Sequence, residues 1–361
     1  MADKFNTLIL GASYGSLLGC KLAMAGHPVT LVCTAPTAEV INSAGTTVRF
    51  PVRGMDELVV VNSHTLAGKT AATTPEQVNV NDFDLIVLGM QEPQYNNPAV
   101  AALMKKIADA EIPCMAIMNM PPLPYIQRLP GIDTSLITNC YASPSVWAHF
   151  NPEVVTLASP DPQAFRPPDA EKNVLQVSLP TNFKVARFGS DKHTAMLQTI
   201  ESDILAARFP TDSGDTELPV KVKLHESLYV PLAKWSMLMA GNFRCIKKDG
   251  MIAISDAVHG DIEQSKAVYE WTKDLCVKLG ADRGDLVPFE KYANAAKGLS
   301  QPSSAAKALD RGVASIERVE KLVMQLAAQL EMSHPEIDTI VENVEWYVAK
   351  NSESELLAKK A

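Results

Sequence analysis

Between Tyr229 and Phe243 the chain reads YVPLAKWSMLMAGNF, a stretch with one charge, that of Lys234. A segment apolar on every side predicts a helix buried all round, opened near Pro231 and ended near Gly241. Lysine is almost never fully buried without a partner. This ammonium therefore snorkels to the surface, pairs with a carboxylate from elsewhere, or borders a cleft in which a proton is moved. Asn242, eight positions on, would lie about 80° round such a helix and about 12 Å along it, so both polar groups could border one cleft. Glu320 is a second oddity. On a helix predicted from Ser304 to about Leu330, the residues Leu309, Val313, Ile316, Val323 and Ala327 fall within about 40° of one line, and Glu320 falls among them. No cation stands three or four positions from it, whereas Glu317, on the flank, has Lys321 in reach. Glu320 is either the partner of a charge on another helix, Lys234 included, or a cleft carboxylate. Lys234, Asn242 and Glu320 are the candidate catalytic residues.

A proton donor of this kind needs a reactant beside it, and the start of the chain offers a place for a cofactor. FNTLIL, from Phe5 to Leu10, is a run of strand formers that stops at Gly11; GASYGSLLGCKLAMAG follows with helical periodicity, and PVTLVCT, to Thr34, is a second strand. Strand, glycine turn, helix and strand within about 30 residues make one βαβ unit, whose turn sets a dinucleotide pyrophosphate on a helix N-terminus. Read as G-x-G-x-x-G, the three positions are Gly11, Ser13 and Ser16, with Gly15 and Gly19 nearby. Serine is small enough for either later place, and its hydroxyl can donate to a phosphate. Gly11, Ser13, Tyr14, Gly15 and Ser16 are therefore candidate cofactor-binding residues. Where an acid would hold the ribose 2′-hydroxyl of NAD, the chain has Cys33, Thr34, Ala35 and Pro36. With no carboxylate to repel a 2′-phosphate, NADP is expected over NAD, with Thr34 and Thr37 to hydrogen-bond it and no arginine beside them.

The strand and helix pattern continues. LVVV (58–61) reads as a strand, NDFDLIVLGM (81–90) as a buried strand, 97–110 as a helix, IPCMAIMN (112–119) as another buried strand, and LQVSL and KVARF as two more. Gln91, Gln94 and Asn119 follow or end strands, at the edge where such sheets bind ligands; Gln91 and Asn119 join the cofactor-binding set. From about residue 191 the pattern is helical, with helices at 193–209 and 263–279. The expected fold is α/β, a Rossmann-type doubly wound sheet over residues 1–190 followed by an all-helical substrate and catalytic domain over 191–361, its last thirteen residues solvated and frayed.

Composition narrows the classes. Lys and Arg number 33 against 41 Asp and Glu, a net charge of −8, which argues against nucleic acid or an anionic membrane as partner. The six cysteines are scattered without metal-ligand spacing, as in reduced core positions of a cytoplasmic protein, and no metal site is expected. The first strand starts too early for a leader segment, and no 18-residue apolar run follows. The expected partner is a small carbonyl or hydroxy compound, and a homodimer is compatible with the pattern.

GAxxxS after the first strand, Asn119 closing a later one, a buried K-x7-N (Lys234, Asn242), VTLV in the second strand, DLIVLG before the cleft and QPSSA from Gln301 together resemble the ketopantoate reductase family along most of the chain. The resemblance implies that Lys234 gives the proton to a ketone and that Asn242 helps bind substrate. The family has another asparagine four positions after the lysine, where this chain has Leu238. Its strand-end lysine is Gln91 here, its arginine after VTLV is Thr34, and its S-S-M-x-x-D is Ser303, Ser304, Ala305 and Ala308. Its following glutamate aligns with Ile316, leaving Glu317 or Glu320 as stand-ins. These departures imply a larger or less polar carbonyl substrate than ketopantoate. Two further readings are opine-dehydrogenase-like reductive amination and a nucleotide-binding sensor derived from a reductase.

Overall fold

The computed structural model, which describes residues 4–212 and 214–358, resolves the chain into two compact units. One runs through Met90 and then takes Gln94–Tyr125 and Ser145–Glu226; the other holds Gln91–Pro93, Ile126–Pro144 and the chain from Ser227 onward.

The first unit is built on an eight-stranded sheet. Its strands β1 (Thr7–Leu10), β2 (Val29–Val32), β3 (Thr70–Thr73), β4 (Leu85–Leu88), β5 (Cys114–Ile117), β6 (Val155–Ser159), β7 (Phe183–Ala186) and β8 (Val222–His225) lie in the order β8-β7-β6-β5-β4-β1-β2-β3. From β3 to β6 every pairing is parallel, which is the 3-2-1-4-5-6 order of a dinucleotide-binding sheet with its switch point between β1 and β4. TLIL, LIVL and CMAI are buried at every residue, as strands covered on both faces must be. A smaller sheet carries Val59–Asn62, Thr47–Phe50, Val174–Leu179 and Gln163–Phe165 in that order.

The first unit ends later than residue 190. Helix Asp191–Ala206, capped by the Ser190 hydroxyl, belongs to it, and β8 extends its sheet by pairing in parallel with β7, Val222 opposite Phe183. Backbone groups on the open edge of β7 supply the reason. They are satisfied by another strand, and that strand comes from beyond the helix.

The second unit is helical apart from a two-stranded ribbon, Ile246–Lys247 with Gly250–Met251. Helix Ile262–Leu279 starts at Asp261, whose side chain accepts from the Gln264 amide, and stops at Gly280 with φ 118°. The single helix expected from Ser304 to Leu330 is two, Ser304–Asp310 and Val319–Gln329. The chain turns at Gly312, whose φ of 89° is open to glycine at little cost, and Val313 is 41% exposed instead of lining a stripe. The last helix, Pro335–Ala358, carries the expected tail onto the unit, where buried Asn351 donates to the carbonyls of Leu309 and Val313. Residues 359–361 of that tail lie outside the described residues. No helix among the described residues is long and apolar enough to cross a membrane.

The helix buried on all sides is α1 (Gly15–Met24), with every residue buried, and it carries a lysine of its own. Lys21 is 2% exposed; its Nζ donates to the Leu218 carbonyl at 2.8 Å and lies 5.8 Å from the centroid of the Phe50 ring. Burial pulls its pKa down to about 8, with Cys20 opposing and Lys221 adding. A base held below its ordinary pKa contributes stability that is present above the unfolded value, near 10.4, and lost as pH falls through the folded value. Relative to Lys21→Met, the native chain should therefore gain up to about 3 kcal/mol between about pH 7 and about pH 11 in urea unfolding. A stability difference independent of pH would contradict this account of Lys21.

Candidate functional site

At the switch point three backbone segments meet with no room for side chains. Gly11 has φ 103°, and a Cβ there would lie 2.7 Å from Met90 Cγ and 3.0 Å from the Gly89 carbonyl oxygen. At Gly89 it would lie 3.1 Å from the Leu10 oxygen and 3.6 Å from Gly15 Cα; at Gly15 it would lie 2.6 Å from Ile9 Cγ2. Gly15, not Ser16, thus takes the role of the third glycine, close packing of helix on strand. Ser16 is buried and its hydroxyl donates to the Ser13 carbonyl at 2.7 Å, so the expected phosphate donor is spent within the turn. Tyr14 is likewise committed. Its hydroxyl donates to the Pro162 carbonyl at 2.6 Å, its ring stands edge-on to Phe183, and burial pushes its phenol far up. Ser13 is exposed, and the first turn of α1 has no acidic residue.

At the end of β2, Thr34 is exposed and precedes helix α2 (Ala35–Ala44), its hydroxyl 3.1 Å from that of Thr37. An arginine does act there. Burial pushes the Cys33 thiol up to about 11 while the charge of Arg166 pulls it down. Arg166 follows the edge strand Gln163–Phe165, and that segment is tied to the glycine turn through Pro162 and Tyr14. Nothing in the sequence signals this, because the approach is made by a proline-rich loop more than a hundred residues away. At the end of β5, the Asn119 side-chain oxygen is buried without a hydrogen-bond partner. An amide in that state costs about 1–3 kcal/mol and is ready for a ligand's donor. A glycine turn packed on the switch point, exposed Thr34 beside half-buried Thr37, and an amide oxygen without a partner are compatible with a dinucleotide.

In the second unit, Lys234 is half-buried on an otherwise largely buried segment. The helix around it changes winding: Pro231–Ala233 is a 3₁₀ turn, Lys234–Met237 is α-helical and Leu238–Phe243 is a π-helix. Each π turn takes in one residue more than an α turn, so Asn242 stands where the seventh α-helical position would, about 20° from Lys234 instead of about 80°. Burial follows this register. Between Pro231 and Phe243 the only residues not buried are Lys234, Met237 and Asn242.

Glu320 has no exposed surface, and Arg318 Nε donates to its Oε1 at 2.5 Å. The expectation of a cleft carboxylate here gives way to a structural pair at the start of Val319–Gln329. Sequence spacing missed it because Arg318 precedes the helix with non-helical φ of −96° and ψ of 52°, outside any i±3 or i±4 relation. Lys321 reaches Glu345 at 3.2 Å. Glu317 is 9% exposed and accepts from the Glu92 amide at 3.3 Å, while the Glu92 carboxylate accepts from the Ala142 amide at 3.0 Å. Gln91 is exposed and clusters with the second unit, not with the nucleotide turn. Ser303 is a helix cap that accepts from the Ala306 amide. Among the described residues no group of His, Cys, Asp or Glu could hold a metal.

Burial raises the Glu320 pKa and Arg318 opposes it. An acid held above its ordinary pKa favours folding below the unfolded value, and that contribution is lost as pH rises through the folded one. Arg318→Met removes the cation and should cost about 3 to 5 kcal/mol at neutral pH, as a buried charge loses its partner. The loss should shrink as pH falls through the raised folded value, above the ordinary carboxylate range, because a neutral carboxyl needs no cationic partner. Equal losses at about pH 5 and about pH 8 in denaturant unfolding would rule out the buried pair as the cause.

No family model and no curated protein matches the chain. Solved structures do. The 2-dehydropantoate 2-reductase of Methylococcus capsulatus superposes with a TM-score of 0.67 at 11% identity, over 96% of this chain and 98% of that one. The dimeric ketopantoate reductase of Staphylococcus aureus matches with a TM-score of 0.61 at 10% identity, over 96% and 99%. D-mandelate dehydrogenase, solved with NADH, matches with 0.60 at 13% identity, over 96% and 99%. With the 3-2-1-4-5-6 sheet followed by a helical unit, the chain has the fold of the ketopantoate reductases.

Proposed function

We propose that this protein is an NADP-dependent oxidoreductase that interconverts a ketone or 2-keto acid and the corresponding alcohol. The observation that carries the reading is that, between Pro231 and Phe243, Lys234 and Asn242 are the two polar residues left unburied, with Met237 beside them. The relatives of this fold, a reductase of 2-dehydropantoate and a dehydrogenase of D-mandelate solved with NADH, handle 2-keto or 2-hydroxy acids by name, which supports the substrate class.

A bound nicotinamide supplies or accepts the hydride at the carbonyl carbon. Lys234 gives a proton to the carbonyl oxygen as the alcohol forms and takes it back in the reverse direction. Asn242 hydrogen-bonds the substrate and orients it. Asn119 uses its unpartnered amide oxygen to accept from the cofactor, whose pyrophosphate rests on the turn at the N-terminus of α1 that the packing of Gly11, Gly15 and Gly89 shapes. Thr34, Thr37 and Arg166 take the 2′-phosphate. Glu317, not Glu320, is the carboxylate proposed for the substrate side, because Glu320 has no exposed surface and pairs through one oxygen with Arg318. Leu238, Gln91 and Ala308 in place of an amide, an amine and an acid favour a less polar substrate than ketopantoate. A cytoplasmic homodimer is the proposed setting, since one relative of the same fold is described as dimeric.

Cofactor choice can be tested by nicotinamide fluorescence titration. The native chain should bind NADPH more tightly than NADH, and Arg166→Gln should weaken NADPH by about tenfold, the scale of one charge-assisted contact, while leaving NADH unchanged. Equal affinities in the native chain would refute NADP as the cofactor. The proton donor is tested by Lys234→Met, which keeps the apolar stem. NADPH affinity should hold, and turnover of keto acids such as phenylglyoxylate should fall by about 10² to 10⁴. A folded Lys234→Met protein with native turnover would remove the lysine from the mechanism.

A further inference from the structure

The winding change that brings Asn242 to the side of Lys234 has an identifiable clamp. Tyr292, on helix Phe289–Ala296, donates its hydroxyl to the carbonyl of Met237, the residue directly before the π-helix, at 3.0 Å. The same hydroxyl rests on Gly241, inside the π-helix. A Cβ at Gly241 would overlap it and would also come within 3.0 Å of Ile254 and 3.2 Å of Val258. Only a residue without a side chain lets the phenol reach across the π turn to the carbonyl behind it.

The ring cannot easily leave this position. It stacks on Tyr269 with centroids 5.4 Å apart and planes 18° from parallel, and Tyr269 is itself held edge-on by Phe289 and by its hydroxyl's bond to the Val287 carbonyl at 3.0 Å. Tyr292 is 6% exposed, and burial, with Tyr269 and Cys245 adding, pushes its phenol well above the ordinary range, so the hydroxyl stays a donor. A π turn is a rare winding that an isolated helix abandons for α, and it persists where the surroundings fix it. Here both ends of the fixing are visible, a hydrogen bond at the entry and a steric seat in the middle.

We infer that Tyr292 and Gly241 form a clamp that holds the π register of Leu238–Phe243 and thereby keeps Asn242 in line with Lys234. Tyr292 is in this sense a positioning residue: it acts through the helix and not on the substrate. The inference rests on the proposed roles of Lys234 and Asn242 for its consequence, and on the geometry alone for the clamp.

The test is Tyr292→Phe, which keeps the ring and its stack and removes only the hydroxyl. Amide hydrogen exchange across 238–243 should accelerate by about tenfold relative to the native chain, the fold-change of one buried hydrogen bond, while NADPH affinity stays within twofold. With phenylglyoxylate or ketopantoate as substrate, kcat should fall at least tenfold and KM should rise, since the proton donor and the substrate amide lose their common face. Exchange within twofold of native overturns the clamp, whether or not either keto acid is turned over. Faster exchange with native kcat and KM overturns the positioning role. If the native chain reduces neither acid, the proposed reaction fails on that result, and the exchange data alone still decide the clamp.

Discussion

Three glycines hold the nucleotide half of this molecule together by what they lack. Gly11, Gly15 and Gly89 come from the end of one strand, the start of the next helix and the end of the neighbouring strand, and at each a single methyl would collide with one of the others' segments or with Ile9 and Met90. This close approach fixes the depth of α1 against β1, and the rest follows from it. With α1 pressed into the sheet, all its residues are buried, and its lysine must find the Leu218 carbonyl because water is out of reach. The same approach leaves bare backbone at the point where strand order reverses, the one place where a doubly wound sheet has a crevice at its strand ends.

Much of this architecture is legible in the sequence because burial on both faces demands it. LIVL and CMAI are uninterrupted apolar runs, and TLIL departs from one only at Thr7. Strand β3, with sequence TAAT, was illegible for the converse reason: an edge strand is stabilised by its hydrogen bonds to one neighbour, and its side chains carry no apolar signal. The late close of the first unit was hidden by composition, since Asp191–Ala206 reads as helix in either unit and only the pairing of β8 with β7 assigns it.

The candidate site was legible in its residue types and less so in their geometry. Periodicity assumes one winding along the whole segment. It fails at Gly312, where a turn splits one predicted helix into two and dissolves the apolar line through Glu320. It fails again at Leu238, where π winding rotates everything downstream. In both places the error has the same form: an angle was extrapolated across a backbone that had changed. Partners outside helical spacing were equally out of reach, as Arg318, two residues before Glu320, and Arg166, far from the end of β2, show.

The substitution of Leu238 acquires a physical meaning from the π-helix. In the ketopantoate reductase pattern an amide stands four positions after the lysine, one α-helical turn along the same face. Here that position opens the π segment, is 4% exposed and carries leucine. An asparagine there would be buried without water, and an unsatisfied amide costs about 1–3 kcal/mol. The apolar residue and the altered winding are thus mutually consistent. Position 238 is given to the core, and the π winding brings position 242 round toward the angular position of Lys234. On the function proposed for Lys234 and Asn242, the substrate would meet one amide where the resembling pattern has two, and a second polar group on it would go unpaired.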